Sequence, residues 1–296
     1  MKIASIFTAG LLALSVGSYA QTENLKQNIL QVVAGKKADV GVSIQHIENG
    51  KTVTISGNKH YPMQSVFKFP IALAVLHQVD GGRLKLEQLI TVKRSELLAD
   101  TWSPLRDKYP KGDVKIPLSE LIQYTVSQSD NNGCDILLKL VGGPDVVNDY
   151  IHGLGIKDIS IKANEAAMHK DWNVQFTNWC TPDAMTALLI KFYQKKILAP
   201  ATHDFLWKTM TETATGKNRI RKLLPEGTIV ADKTGSSGAN KQGVTSATND
   251  VGIVTLPDGQ HFAITVFVAA SKENNDTNEQ IIASVAKAAW DYFINR

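Results

Sequence analysis

An α+β or α/β fold is predicted by two features of the 296-residue chain. Strand-like alternation is confined to its two ends, and the stretch between them carries helical spacing with scarce strand signals. Such a layout builds one sheet from both termini (residues 21–64 and 211–296) and inserts the middle, residues 65–210, as a helical lobe. The cleft between the lobes is the default place for a site.

The elements follow in order. Met1-Lys2, the apolar run Ile3 to Val16 and the small residues of Gly17-Ser18-Tyr19-Ala20 read as a signal peptide over residues 1–20, cut after Ala20. The run is shorter than the roughly 20 apolar residues that span a bilayer, and no later run reaches that length, so no membrane anchor is expected. Neither Cys134 nor Cys180 lies near the cut to take a lipid. An oxidising compartment permits a bridge between them, and two separate buried thiols fit the sequence equally. The formal charge of +4 is spread in pairs such as Lys36-Lys37 and Lys93-Arg94, which does not imply nucleic acid.

Leu25, Ile29 and Val32 recur at helical spacing before Gly35, a helix stop. Val40 to Ile47 alternates, as does Val53 to Ile55, and Asn49-Gly50 between them is a hairpin signal. Helical segments are expected at Val66 to Val79, Leu118 to Ser127, Cys134 to Leu140, Asp145 to His152 and Asp183 to Tyr193. Strands return at Thr228 to Ala231, Val251 to Leu256 and Phe262 to Val268, and a closing helix covers Asn278 to Phe293.

Three short motifs carry chemistry. Ser65-Val66-Phe67-Lys68 opens a helix, where residues three apart share a face and a hydroxyl can meet an amine. The spacing alone is weak, since Ser56 to Lys59 and Ser284 to Lys287 repeat it. Ser129-Asp130-Asn131 taken alone is an N-cap or turn. Lys233-Thr234-Gly235 taken alone is a strand end with a turn glycine. Together, in that order around a helical block, they are the signature of class A β-lactamases and penicillin-binding proteins.

Over essentially the whole mature chain the sequence resembles a class A serine β-lactamase, and within that family the PER, VEB and TLA group of extended-spectrum enzymes. The resemblance implies the serine β-lactamase/penicillin-binding fold: an antiparallel sheet built from both termini, flanked by helices, with an inserted all-helical lobe. It implies a monomer in the periplasm or secreted, acting on a small β-lactam without metal or cofactor. Ser65 would be the nucleophile, Lys68 its neighbouring base or proton relay, and Ser129 the proton donor to the lactam nitrogen. Lys233 would hold Ser129 and the substrate carboxylate in a positive field, Thr234 would bond that carboxylate, and Asn131 the acylamide. Backbone N–H groups of Ser65 and Ser236 match the oxyanion hole. Glu165, in the aperiodic stretch Ser160 to Pro182, matches the deacylating glutamate; whether it or Lys68 is the acylation base is disputed for the family. Trp102 matches an aromatic that walls the cleft, or is a core or rim residue; Arg219 matches an arginine that supports carboxylate binding, or is a surface cation.

The departures from the family pattern gather in the loop. Ala163 and Asn178 replace an arginine and an aspartate that usually close its neck by an ion pair, which puts the usual loop path in doubt. Ala166 replaces the usual proline, so a trans bond is expected after Glu165. Asp135 takes the place of an asparagine that braces the loop. His169 takes the place of one that helps to hold the water, and is expected to share that task unless it is a plain loop histidine. Ser237, small and polar where glycine is common, and the altered loop predict room for bulky oxyimino-cephalosporins beside penicillins. A penicillin-binding D,D-peptidase and a non-turning β-lactam sensor share the three motifs. Glu165 argues against the first, and the absence of an anchor or signalling module against the second.

Overall fold

The computed structural model describes residues 22–295; the expected signal peptide, residues 1–20, lies outside them. Helix α1 (residues 22–33) leads into β1 (Asp39–His46), β2 (Thr52–Ile55) and β3 (Tyr61–Pro62), then α2 (Lys68–Asp80). The middle of the chain carries β4 (Leu89–Val92), α3 (Pro104–Lys108), β5 (Val114–Pro117), α4 (Leu118–Ser127), α5 (Asn131–Val141) and α6 (Pro144–Gly153). After it come β6 (Ile159–Ser160), α7 (Glu165–Lys170), β7 (Trp179–Cys180), α8 (Pro182–Tyr193) and α9 (Pro200–Thr211). The chain closes with β8 (Val230–Ser236), β9 (Thr245–Thr255), β10 (His261–Ser271) and α10 (Asn275–Ile294).

The main sheet is antiparallel in the order β2-β1-β10-β9-β8, so strands from both ends of the chain lie side by side. Its two faces are set by alternation along each strand. On β10, Phe262, Ile264, Val266 and Val268 pack with Leu25 and Ile29 of α1 and Ile282, Val285 and Trp290 of α10. The intervening Ala263, Phe267 and Ala269 join the other core, which continues into the central helices. Thr186 of α8 ties the two layers by donating to Thr265 Oγ1 at 2.9 Å and to the Ser43 carbonyl at 3.2 Å.

Helix α2 is buried from Lys68 to Leu76, and its apolar residues cover every side, as befits a helix with neighbours all round. The inserted block is less uniform than the sequence suggests. It contains the β4–β5 pair, and β6 and β7 join β3 in a small second sheet, so it is not all-helical. These strands are two to four residues long, too short for a periodic signal.

Two further differences have a clear cause. Helix α9 carries Thr202, His203 and Thr209 on its buried side, which hides its apolar stripe. Strand β8 runs five residues beyond the expected Ala231 because Asp232, Lys233 and Thr234 are polar yet buried. The strand passes so close to the turn before Ser65 that a Cβ at Gly235 would collide with the Met63 carbonyl oxygen. Asn249 of β9 fixes the same turn by donating to the carbonyls of Pro62 and Met63 at 2.8 and 3.1 Å. Cys134 and Cys180 are separate buried thiols.

Candidate active site

Ser65 lies in a 3-10 turn, Gln64–Phe67, from which α2 continues. In such a turn residues i and i+3 eclipse one another, which stacks Lys68 over Ser65. Lys68 Nζ donates to Ser65 Oγ at 2.9 Å, to the Ser129 carbonyl at 2.9 Å and to Asn131 Oδ1 at 2.5 Å, and pairs with Glu165 Oε1 at 2.8 Å. The ammonium is fully buried and Glu165 nearly so. A buried cation is tolerable only when its protons are all engaged, and here the partners come from three separate stretches of chain.

The Ser129-Asp130-Asn131 turn divides its labour. Asp130 is the N-cap of α5, accepting from Gly133 N at 2.7 Å, and it also binds Ser103 Oγ and Leu105 N. The capping role that the bare sequence suggests thus belongs to the middle residue. Ser129, held at φ +58°, sets its hydroxyl 2.9 Å from Lys233 Nζ. Asn131 donates to Thr101 Oγ1 at 2.7 Å while it accepts from Lys68.

Lys233 also donates to the Thr234 carbonyl at 2.8 Å. Burial, and then the Lys68 charge, pull its pKa down to about 7. Thr234 Oγ1 lies 2.6 Å from Thr215 Oγ1. Arg219 is a buried structural cation rather than a surface one. It pairs with Glu279 at 3.1 Å, donates to the carbonyls of Gly235 and Asn249, and bonds Ser236 Oγ at 2.6 Å. Ser237 stays in register with β9, its hydroxyl accepting from Ala247 N at 2.9 Å.

The loop is closed without an ion pair. Buried Asn178 accepts from the backbone N–H groups of Lys162 and Ala163 at 2.7 and 3.0 Å and returns a bond to the Ala163 carbonyl at 2.9 Å. One amide, both donor and acceptor, thus serves the neck. The Glu165–Ala166 bond is trans, as expected. Asp135 accepts from the N–H groups of Glu165 and Ala166 at 2.7 and 2.9 Å. An ionised carboxylate can only accept, so the first turn of α7 presents donors to it; burial nevertheless lifts Asp135 to about 6.

One cleft brings Ser65, Asn131, Glu165, His169, Ser236 and Ser237 together. Trp102 stands at the rim, 61% exposed, its indole N–H donated to the Gln128 carbonyl at 2.9 Å. His169 Nε2 is taken by Asp100 at 2.8 Å, which leaves Nδ1 as the ring nitrogen available to water. Sequence reasoning missed Thr101, Asp100, Thr215 and Gln175. Gln175 is a buried hub whose Oε1 accepts from Gln64 and Ser246, both at 2.5 Å, and whose Nε2 donates to the Trp172 carbonyl at 2.7 Å. All four sit in loops or isolated turns, where no periodicity marks them.

A family model described as the β-lactamase enzyme family matches residues 24–293. The chain is similar to β-lactamase VEB-1 of Pseudomonas aeruginosa, 50% identical with all of both chains covered. It is 45% identical to the extended-spectrum β-lactamase PER-1 of Pseudomonas aeruginosa, over 99% of this chain and 96% of that one. The crystal structure of TLA-1 extended-spectrum β-lactamase superposes with a TM-score of 0.91 at 53% identity, covering 93% of this chain and 99% of that one.

The neck yields a direct expectation. Asn178→Asp places a buried carboxylate opposite Ala163 with no cation to meet it, and Asn178→Ala leaves buried backbone groups unpaired. Each variant is expected to lose on the order of 2 to 3 kcal/mol of stability in denaturant titrations, and limited proteolysis is expected to cut first within residues 160–182.

Proposed function

We infer, from the premise that the chain belongs to the β-lactamase enzyme family and is a β-lactam hydrolase of the class A serine type, that it works through an acyl-enzyme on Ser65 resolved by water at Glu165. The observation that carries this reading is a single contact chain: Ser65 Oγ to Lys68 Nζ at 2.9 Å, and Lys68 Nζ to Glu165 Oε1 at 2.8 Å. Ser65 Oγ and Glu165 Oε1 both contact Lys68 Nζ, so the Ser65 proton can pass through Lys68 to Glu165, leaving the pair as ammonium and carboxylic acid. The freed alkoxide attacks the lactam carbonyl. Backbone N–H groups of Ser65 and Ser236 stabilise the oxyanion, a contribution typically worth about 3 to 4 kcal/mol per donor.

Collapse of that intermediate breaks the C–N bond, and the leaving nitrogen takes a proton from Ser129. Lys68 restores it, returning the pair to one proton. Glu165 then removes a proton from water, the resulting nucleophile attacks the ester, and Ser65 leaves with a proton regained. Asp135 fixes the backbone of Glu165 for that step, and His169 Nδ1 shares the water. Lys233 and Thr234 receive the substrate carboxylate, with Arg219 supporting Ser236 from beneath. Asn131 takes the acylamide, and Trp102 closes the rim.

The substrates are penicillins and cephalosporins, including oxyimino-cephalosporins. Support for the wider range comes from the amide-closed neck, from Ser237 and from similarity to enzymes described as extended-spectrum. Residues 1–20 act as an export signal, and the mature enzyme works as a monomer in the periplasm or outside the cell.

Three expectations follow from this chemistry. Turnover of a chromogenic cephalosporin vanishes in Ser65→Ala, and Glu165→Ala stops at an adduct visible by intact mass; a persistent adduct on the unmodified protein would point instead to a penicillin-binding enzyme or sensor. The kcat/KM for an oxyimino-cephalosporin stands well above background in the unmodified protein; a value at background would remove the extended range. Because Lys233 titrates near 7 in the free enzyme, its positive charge is lost as pH rises, so kcat/KM for carboxylated substrates falls on the alkaline side. Lys233→Arg, charged throughout, is expected to move that limb upward in a pH–rate profile, and an unmoved limb would assign it to another group.

A further inference from the structure

The cleft has an aromatic wall that the steps above do not use. Trp172 lines it with Met168, on the same opening as Ser65, Asn131 and Glu165. The indole is 37% exposed, and among the described residues its N–H donates to no protein acceptor and its ring pairs with no other ring. Trp102 differs, since its N–H is already spent on Gln128.

Although half exposed, Trp172 is held firmly at its base. Its carbonyl accepts from Gln175 Nε2 at 2.7 Å, and Gln175 is bonded in turn to Gln64, the residue before the nucleophile, and to Ser246 of the main sheet. Asp171 caps the same turn by accepting from Asn173 N at 2.8 Å. Met168 is placed by its sulfur, which accepts from Asn178 Nδ2 at 3.4 Å. The backbone that carries the indole is thus registered to the turn before Ser65 through the two bonds of Gln175, which limits the ordering cost of a ring contact at this wall.

We propose that Trp172 is a specificity-determining residue: with Met168 it forms a platform for a planar aromatic or heteroaromatic ring on the acylamino substituent of the β-lactam. The proposal rests on the reading that β-lactams are acylated at Ser65 with the acylamide at Asn131. Within that cleft the polar groups of Asn131 and Ser237 suit an amide, and the apolar surface of Trp172 and Met168 lining the same cleft suits a flat ring. The free indole N–H adds a donor for a heteroatom on that ring or on an oxyimino group.

The test compares the unmodified enzyme, Trp172→Ala and Trp172→Phe on three substrates: a penicillin with an arylacetyl side chain, an oxyimino-cephalosporin with a heteroaromatic ring, and the penicillin nucleus with a bare amino group. Trp172→Ala is expected to lower kcat/KM about tenfold or more for the ring-bearing substrates, mainly through KM, and to leave the bare nucleus within about twofold. Trp172→Phe, which keeps a stacking face, is expected to retain most of the preference. An equal fall on the bare nucleus would assign Trp172 a merely structural part in the loop, and no fall on any substrate would remove it from recognition; either overturns the proposal. Should the unmodified enzyme turn over the arylacetyl penicillin but not the oxyimino-cephalosporin, the extended range fails while the two penicillins still decide the role of Trp172.

Discussion

The site depends on one buried ammonium. Lys68 has no exposed surface, and an unpaired charge in that position would cost several kcal/mol, so the fold must bring it partners. It brings them from the turn holding Ser65, from Ser129 and Asn131 ahead of α5, and from Glu165 at the start of α7. Each of those segments is fixed by other means: Asn249 and the Gly235 approach hold the first, Asp130 caps the second, and Asp135 and Asn178 hold the third. The cation couples them, and in doing so brings the Ser65 hydroxyl and the Glu165 carboxylate onto one nitrogen.

The loop shows how an ion pair can be replaced. A salt bridge at a loop neck must repay the desolvation of two charges, whereas an amide satisfies backbone donors and an acceptor at a smaller cost. Asn178 does this alone. Asp135 and Gln175 complete the attachment, one through the N-terminal turn of α7 and the other through Gln64 and Ser246. The two ends of the loop are anchored by apolar burial at Ile161 and Cys180, and between them, where no residue of α7 is fully buried, its path is set by polar side chains that reach for backbone groups.

What the sequence disclosed follows the same division. Burial writes a period into a strand or helix, and so the sheet from both termini, α4 to the residue and α8 nearly so were legible. The stretches that meet in the candidate site were legible by motif, because Ser65, Ser129 and Lys233 stand in short fixed spacings. Periodicity failed where buried positions are polar: β8 was cut short at Lys233 and Thr234, and α9 was hidden by Thr202, His203 and Thr209. It failed again for Gln175, Thr101 and Asp100, whose partners lie tens of residues away and leave no local trace. The loss of the neck ion pair could be read from Ala163 and Asn178, but its replacement could not, because an asparagine's two-sided bonding depends on which backbone groups fold around it.

The coupling of the two half-reactions through Lys68 is most directly tested by single-turnover kinetics on Lys68→Met, a variant of similar length without the charge. Acylation and deacylation rate constants would be measured separately, by stopped-flow absorbance and by decay of the adduct mass. If Lys68 organises both Ser65 and Glu165, both constants fall, each by about a hundredfold or more. A fall in acylation alone, with deacylation at the unmodified rate, would show that Glu165 is positioned without the cation and would contradict the account.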